Sequence, residues 1–413
     1  MQRLIPGLLV QNRDFVWFWS GQTVSLFGDE ISLLAIPLAA VILLHATAAQ
    51  MGYLLAAALA PNLLFSLHAG NWVDRRGKRR QVMIGSDIGR ALLLVTIPIA
   101  YVLGILTLGQ LYVVAFLAGT LTLLFSVSNV ALFQTLVRRE RYVEANSLLN
   151  GSRSVATMGG PALGGVLVQL LSAPVTVLVD AVSFVVSALT LNRIELVEPA
   201  GDTAKRGMGS GIRFILQSRI MHSSLAAIAT INFFNLMFSA LYILYASRSL
   251  HIAPGLLGVV LGSGALGSLV GSILIGRLSR GIGVGPAFVA GCILMPASLV
   301  LVPLAQGPTP LVVAMLFLAE FGSGCGTMFL DTAFNSISAA VVPREVRARV
   351  SGAFRLVNYG VRPVGSLVGG ILGSAVGLRG TLWIASVAAV AGFLWLLPSP
   401  LPRLRKLPEP STL

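Results

Sequence analysis

The sequence predicts an all-α integral membrane protein with twelve transmembrane helices in two pseudo-symmetric six-helix bundles. Three observations carry this. First, 55% of the 413 residues are hydrophobic and only 11% charged, with a mean hydropathy of +0.86; a water-soluble domain so composed would expose large apolar patches. Second, the apolar residues fall into segments long enough to cross a bilayer, which takes about 20 helical residues. Third, the second half of the chain repeats the first.

In chain order the apolar segments cover residues 15–44, 49–69, 81–104, 108–134, 144–171 and 174–192, then 219–247, 255–277, 285–305, 309–341, 347–374 and 378–397. Charged or Pro/Gly-rich stretches break them. The first segment starts too late, runs too long and holds acids inside it, so it is expected to stay in the mature protein rather than be cleaved as a signal peptide.

A net charge of +14 would suggest nucleic acid in a soluble protein, and the placement of the basic residues decides against that. With twelve helices threaded, 23 of the 29 Lys and Arg fall on one side of the membrane, among them Arg75, Arg76, Lys78, Arg79, Arg80, Arg138, Arg139, Arg141, Arg277 and Arg280. Arg248 and Arg379 lie on the other side, and Arg90, Arg153, Arg355 and Arg362 lie within spans. The positive-inside rule then places both termini and the central loop in the cytoplasm. The expected location is the cell membrane, in a bacterium the cytoplasmic membrane. Lipid is the partner and nucleic acid is not.

The segment Thr135 to Leu167 aligns without gaps onto Ala340 to Leu372 at an offset of 205, with Val137, Arg139, Glu140, Gly160, Gly164, Gly165 and Leu167 each meeting the same residue. At an offset of 206, Gly70 meets Gly276 and Gly77 meets Gly283. The expected organisation is an N-terminal bundle over 1–192, a cytoplasmic connector over 193–217 and a C-terminal bundle over 218–413. Repeats of this kind let a transporter place its binding site near the bilayer midplane and move one half against the other.

Asp29 and Glu30 sit at the centre of the first span. A carboxyl group there costs roughly 2.5 to 3.5 kcal/mol on insertion scales, so each needs a water-filled cavity or a partner. Successive residues point about 100° apart on a helix, so one is expected to face a cavity and the other a neighbouring helix. Asp29 is the first candidate for a group that takes and releases a proton during transport, with Glu30 as partner or second site. The other outcome is a carboxylate locked in a structural ion pair.

Between the second and third spans stands Gly70-Asn71-Trp72-Val73-Asp74-Arg75-Arg76-Gly77-Lys78-Arg79-Arg80. In the fifth span stands Gly160-Pro161-Ala162-Leu163-Gly164-Gly165, and the first span reads Gly21-Gln22-Thr23-Val24-Ser25-Leu26-Phe27-Gly28-Asp29 through Ala35-Ile36-Pro37-Leu38. The first of these resembles the cytoplasmic loop signature of the major facilitator superfamily, matched at Gly70, Asp74, Arg75, Gly77, Lys78 and Arg79. The second resembles the signature associated with antiporters. The third is similar to the opening of the branch that contains bacterial macrolide-efflux and enterobactin-exporter proteins. The resemblance covers essentially the whole chain. It implies alternating access and export of a small amphiphilic molecule, a drug-like compound, natural product or siderophore, in exchange for an ion.

The loop residues suit a gate: Gly70 for close helix approach, Gly77 for a tight turn, and Asp74 to pair with an arginine or face a helix N-terminus. The second copy has Arg280 where the first has Asp74, so the two halves are not expected to latch equally. Pro161 removes a backbone donor, and glycines let helices approach closely. The proton-coupled drug exporters usually carry an arginine in the fourth span. None lies between Leu108 and Gln134 here, which leaves Arg90 or Arg153 to substitute.

Asp87 and Arg90 are one turn apart and are expected to extend the gate network of Asp74. Asp180, Glu320 and Asp331 are further intramembrane acids. Arg355 and Arg362 are seven residues apart on one helix face, and Arg355 is expected to pair with Glu320 or Asp331. Asn232, Asn235, Phe238 and Tyr242 are the substrate-cavity candidates, since aromatics with a few amides suit a large, partly apolar ligand.

Cys292 and Cys325 lack metal-ligand spacing and no catalytic or nucleotide-binding signature is present. No metal, cofactor or enzymatic reaction is expected, and the chain is expected to act as a monomer. Two alternatives stay open: a lipid or lysolipid flippase of the same fold, and a non-transporting membrane scaffold or sensor.

Overall fold

The computed structural model describes residues 7–195, 209–343 and 345–406. Among the described residues the regular structure is entirely helical. After the short α1 (Gly7–Gln11), the first half runs α2 (Arg13–Ile42), α3 (Ala48–Arg76), α4 (Arg79–Val102), α5 (Leu108–Leu136), α6 (Tyr142–Leu171) and α7 (Ala173–Asn192). A short α8 (Gly209–Gln217) precedes α9 (Arg219–Arg248), α10 (Pro254–Ile282), α11 (Val284–Leu299), α12 (Leu301–Leu304), α13 (Thr309–Val341), α14 (Arg347–Ala375) and α15 (Leu378–Ala391). Eleven of these helical stretches are long and apolar enough to cross a membrane, with α11 and α12 together forming one of them. α14 has the same length, but Arg347, Arg349, Arg355 and Arg362 interrupt its hydropathy. The twelve expected spans are thus all present as helices, in an all-α multi-pass membrane protein.

Local chemistry sets the ends. Asn12 caps α2, accepting a hydrogen bond from the Phe15 N–H at 2.9 Å, and Ser218 caps α9 by accepting from the Met221 N–H at 3.4 Å; both satisfy a donor the helix start leaves free. These caps are 206 residues apart. The same offset relates Gly77 and Gly283, both left-handed (φ 63° and 104°) at the turns after α3 and α10, where glycine adopts a conformation that side chains resist. It also relates His45 and His251, at φ 50° and 53°. After each histidine the chain closes a similar loop, Ala46 N–H to Ala40 and Ile252 N–H to Ala246.

The chain divides into two compact units. One gathers the described residues of Met1–Ala46, Ala57–Ala204 and Ala253–Val259, and the other those of Thr47–Ala56, Lys205–Ile252 and Val260–Leu413. In the first, an apolar cluster at one end of the helices is built on Phe15, Phe18, Phe125, Leu132 and Leu191. In the second, the equivalent cluster is built on Phe288 and Phe354 with Phe334 between them, at centroid distances of 6.1 and 4.7 Å. Of the connector, residues 196–208 lie outside the described ones. Its last part is α8, which packs on α14 with Gly211 against the Arg349 backbone.

Candidate functional site

In the first unit four charged groups within the spans, Asp29, Asp87, Arg90 and Asp180, come together where α2, α4, α5 and α7 meet. α2 packs along α7 because Gly21 and Gly28, two turns apart, leave room for α7 side chains; a Cβ at Gly28 would overlap Ser183 and Asp180. Gln22, on the same helix, accepts a hydrogen bond from the Asn129 amide of α5 at 3.1 Å. The glycines and Gln22 of the opening run thus fix α2 against its neighbours. This leaves the next residue, Asp29, turned toward α4.

There Asp29 lies 3.7 Å from Arg90, whose side chain is 2% exposed while that of Asp29 is 46% exposed. Arg90 is held from four helices. Its Nη2 donates to Asp87 one turn earlier on α4, and its Nη1 donates to the Thr122 hydroxyl of α5 at 3.4 Å. Its guanidinium lies over the rings of Phe184 of α7 at 3.9 Å and Phe125 of α5 at 4.7 Å. Cation–π contact of this kind strengthens as water is removed. Asp180 of α7 is buried beside this group, accepting from the Ser183 hydroxyl at 3.1 Å. Three carboxyl groups therefore surround one guanidinium. Asp87 Oδ2 forms no hydrogen bond among the described residues.

Glu30 points away from this cluster. It accepts a hydrogen bond from the Thr157 hydroxyl of α6 at 3.0 Å, and Gly160 packs against its β-carbon. Gly164, one turn on, packs against Ile31. Gly165 and Pro161 face the first turns of α10, at Pro254 and Gly258. The glycines of the fifth-span run thus serve close packing on two helices. Arg153, exposed on α6, lies within electrostatic reach of both Asp29 and Glu30.

Several expectations need correction here. Asp87 and Arg90 cluster with Asp29, and their expected link to Asp74 falls on a side chain outside the described ones. A Cβ built on Gly70 meets no atom within 4 Å, so among the described residues no helix approaches closely there. Gly77 does make the turn, and Lys78 is exposed just before α4. Arg75 is exposed, and Arg79 begins α4. The Asp74 side chain lies outside the described ones.

In the second unit, Arg362 of α14, rather than Arg355, takes the central place. It donates to the Asn232 side chain of α9 at 3.2 Å and lies over the Tyr359 ring at 4.7 Å. Asn232 in turn donates to Asn358 at 3.2 Å. Asp331 of α13 is within electrostatic reach of Arg362. Arg355 is exposed, and among the described residues no ion pair joins it to Glu320 or Asp331. Glu320 instead lies beside the Tyr242 hydroxyl. Phe238 and Tyr242 are buried with their rings 5.5 Å apart, while Asn235 is half-buried. No group of three or more metal-ligating side chains occurs among the described residues.

The sequence gives no direct signal that Asp180 would join Asp29, because 150 residues separate them. The one cue is the glycine at 28, which only a close neighbour explains.

The sequence profile of the Major Facilitator Superfamily matches residues 18–365 and 223–412. The multidrug efflux pump Tap of Mycolicibacterium fortuitum is 25% identical over 396 residues, covering 92% of this chain and 93% of that protein. The Tap pump of Mycobacterium tuberculosis is 26% identical over 404 residues, covering 92% and 91%. A solved structure of a bacterial homologue of the iron transporter ferroportin superposes with a TM-score of 0.76 at 16% identity, over 94% of this chain and 98% of that one. At that identity the likeness shows the fold.

Proposed function

The chain belongs to the Major Facilitator Superfamily, as a secondary transporter of small molecules rather than an enzyme, and we propose that it exports amphiphilic compounds in exchange for protons carried by Asp29. The substrate class is drug-like compounds or natural products, siderophores included. The names of the efflux-pump relatives support it, as does the resemblance of the first span to macrolide and enterobactin exporters. The loop from Gly70 to Arg80 acts as the cytoplasmic gate. Both termini face the cytoplasm.

The observation that carries proton coupling is the unequal setting of Asp29 and Asp87, the two acids that pair with Arg90. Asp87 is fully buried and bonded to it, so this pair is neutral by itself. Asp29 approaches the same guanidinium from an accessible position. A proton can therefore arrive at or leave Asp29 while Arg90 keeps its buried counter-ion. Ionised, Asp29 is drawn to Arg90; protonated, it is released from that attraction. A change of one charge thus becomes a change in how firmly α2 is held to α4. A ligand or proton shifts a conformational equilibrium only through such a difference between states.

Proteoliposomes with an imposed pH gradient test this. Substrate-dependent proton flux and uphill export are expected of the native protein. Asp29→Asn, which keeps size and polarity but cannot ionise, should abolish uphill export while substrate exchange down its gradient survives. Unchanged uphill export in this variant would reject Asp29 as the carrier.

A further inference from the structure

A cavity of about 660 Å³ opens between α3, α4 and α5 beside the α3–α4 turn, with none of Asp29, Asp87, Arg90 and Asp180 in its lining. That volume is in the range of small-ligand sites, roughly 300–1,000 Å³. Its polar wall carries two cations, Arg76 and Lys78, together with the Gln81 amide, and no carboxylate among its described lining residues. The Arg76 guanidinium lies 4.5 Å from the Trp72 ring centroid, so its fork of donors is held in place by stacking. A planar guanidinium so held matches the oxygens of a phosphate better than a free lysine does. Space at the α4 wall is real, since a Cβ on Gly85 would meet no described atom within 4 Å. Val82, Leu121 and Leu124 give the wall an apolar part, beside the Ser86 hydroxyl.

We propose that this cavity binds the phosphate headgroup of an anionic membrane lipid. Two observations favour a lipid over free phosphate. The first is an apolar stripe on α4 that continues from the cavity along the span: Gly85, Ile88 and Leu92 share one helical face, and Ile88 and Leu92 are 47% and 66% exposed. A chain attached to a phosphate in the cavity would lie along that stripe. The second is position. The cavity sits where two membrane-spanning helices end in a basic turn, at headgroup level, and Trp72 is a residue type that favours this interface. Basic clusters beside a span attract the anionic lipids of the cytoplasmic leaflet. The site is independent of what the protein exports.

Native mass spectrometry of the purified full chain tests the assignment. The chain is offered equal amounts of phosphatidylglycerol and phosphatidylcholine, with and without excess inorganic phosphate. The native protein should retain phosphatidylglycerol about tenfold better, because phosphatidylcholine presents the same phosphate beside a quaternary ammonium that Arg76 and Lys78 repel, and inorganic phosphate should not displace it. Arg76→Gln should remove most of this preference. Gly85→Leu should do the same by filling the cavity, while leaving both cations in place. Thermal unfolding of each variant in phosphatidylcholine reports whether it is folded. Equal retention of the two lipids by the native protein would overturn the proposal, as would full preference in a folded Gly85→Leu. Displacement by inorganic phosphate would make the cavity a soluble-phosphate site and overturn it too.

Discussion

Arg90 lies 3.7 Å from Asp29 and is bonded to Asp87, so one guanidinium on α4 faces a carboxylate of its own helix and one of α2. The two acids are not equivalent. Asp87 is sealed in with Arg90, Phe125 and Phe184, whereas nearly half of the Asp29 side chain is open. Burial makes the Arg90–Asp87 pair a fixed part of the fold. Exposure makes Asp29 the acid whose charge can change.

Replacing Arg90 by Gln should strand a carboxylate that is 0% exposed. Breaking a buried pair from one side costs about 3–5 kcal/mol, because the remaining charge has lost its counter-ion. The double variant Arg90→Gln with Asp87→Asn should recover most of that loss, since the carboxylate bonded to Arg90 is removed together with it. Thermal unfolding of the purified variants in one detergent checks this; a double variant no more stable than the single would mean that Asp87 is not the buried counter-ion.

Glu30→Gln should be mild. The glutamine carbonyl can still accept from the Thr157 hydroxyl, and the β-carbon that packs on Gly160 is unchanged. Uphill export by this variant should stay within about twofold of the native rate, the scale of losing a weak, partly exposed interaction. Export abolished as fully as in Asp29→Asn would move the proton site to Glu30 or to the pair.

Most of the fold is legible in the sequence because a bilayer admits few solutions: apolar stretches of sufficient length between basic turns must be helices. The ends of α5 and α13 are thus readable to within two residues. α8 is too short to announce itself by hydropathy, and Gly209–Gln217 reads as part of a polar connector. The site is legible only in part. Asp29 and Glu30 stand out because charge is rare in a span, and their divergence follows from helix geometry. Which arginine answers them does not follow, since Arg90, Arg153, Arg355 and Arg362 look alike in sequence and helix rotation alone separates the buried from the exposed. The duplication is visible in the aligned glycines, but the paired left-handed histidines His45 and His251 show it only as backbone angles.

The distribution of basic residues predicts the outcome of reporter fusions. A fusion in the 192–217 connector and one at Pro408 should read cytoplasmic, and one between Leu250 and Gly255 should read external. Ser249 to Ala253 link the ends of α9 and α10 on the side poor in Lys and Arg, so the positive-inside rule assigns that link outward. An external C-terminus would require an odd number of crossings and would remove one of the twelve spans.

Gly52 and Gly258, also 206 residues apart, make matching contacts that predict unequal tolerance. Gly258 packs on the Pro161 carbonyl, and Gly52 packs on the carbonyl of Ser366, the repeat counterpart of Pro161. A Cβ at Gly52 would sit 2.6 Å from its carbonyl, and one at Gly258 would intrude further on its own. Both obstacles are backbone atoms, which cannot rotate aside as a side chain can. Inserting a methyl group into such a contact costs about 1–3 kcal/mol. Ala substitution should therefore lower the unfolding temperature at both positions, and more at Gly258 than at Gly52. Val should be worse than Ala at each. Thermal unfolding of the four variants measures the order, and Gly258→Ala as stable as the native protein would show that α6 and α10 do not meet as closely as their glycines allow.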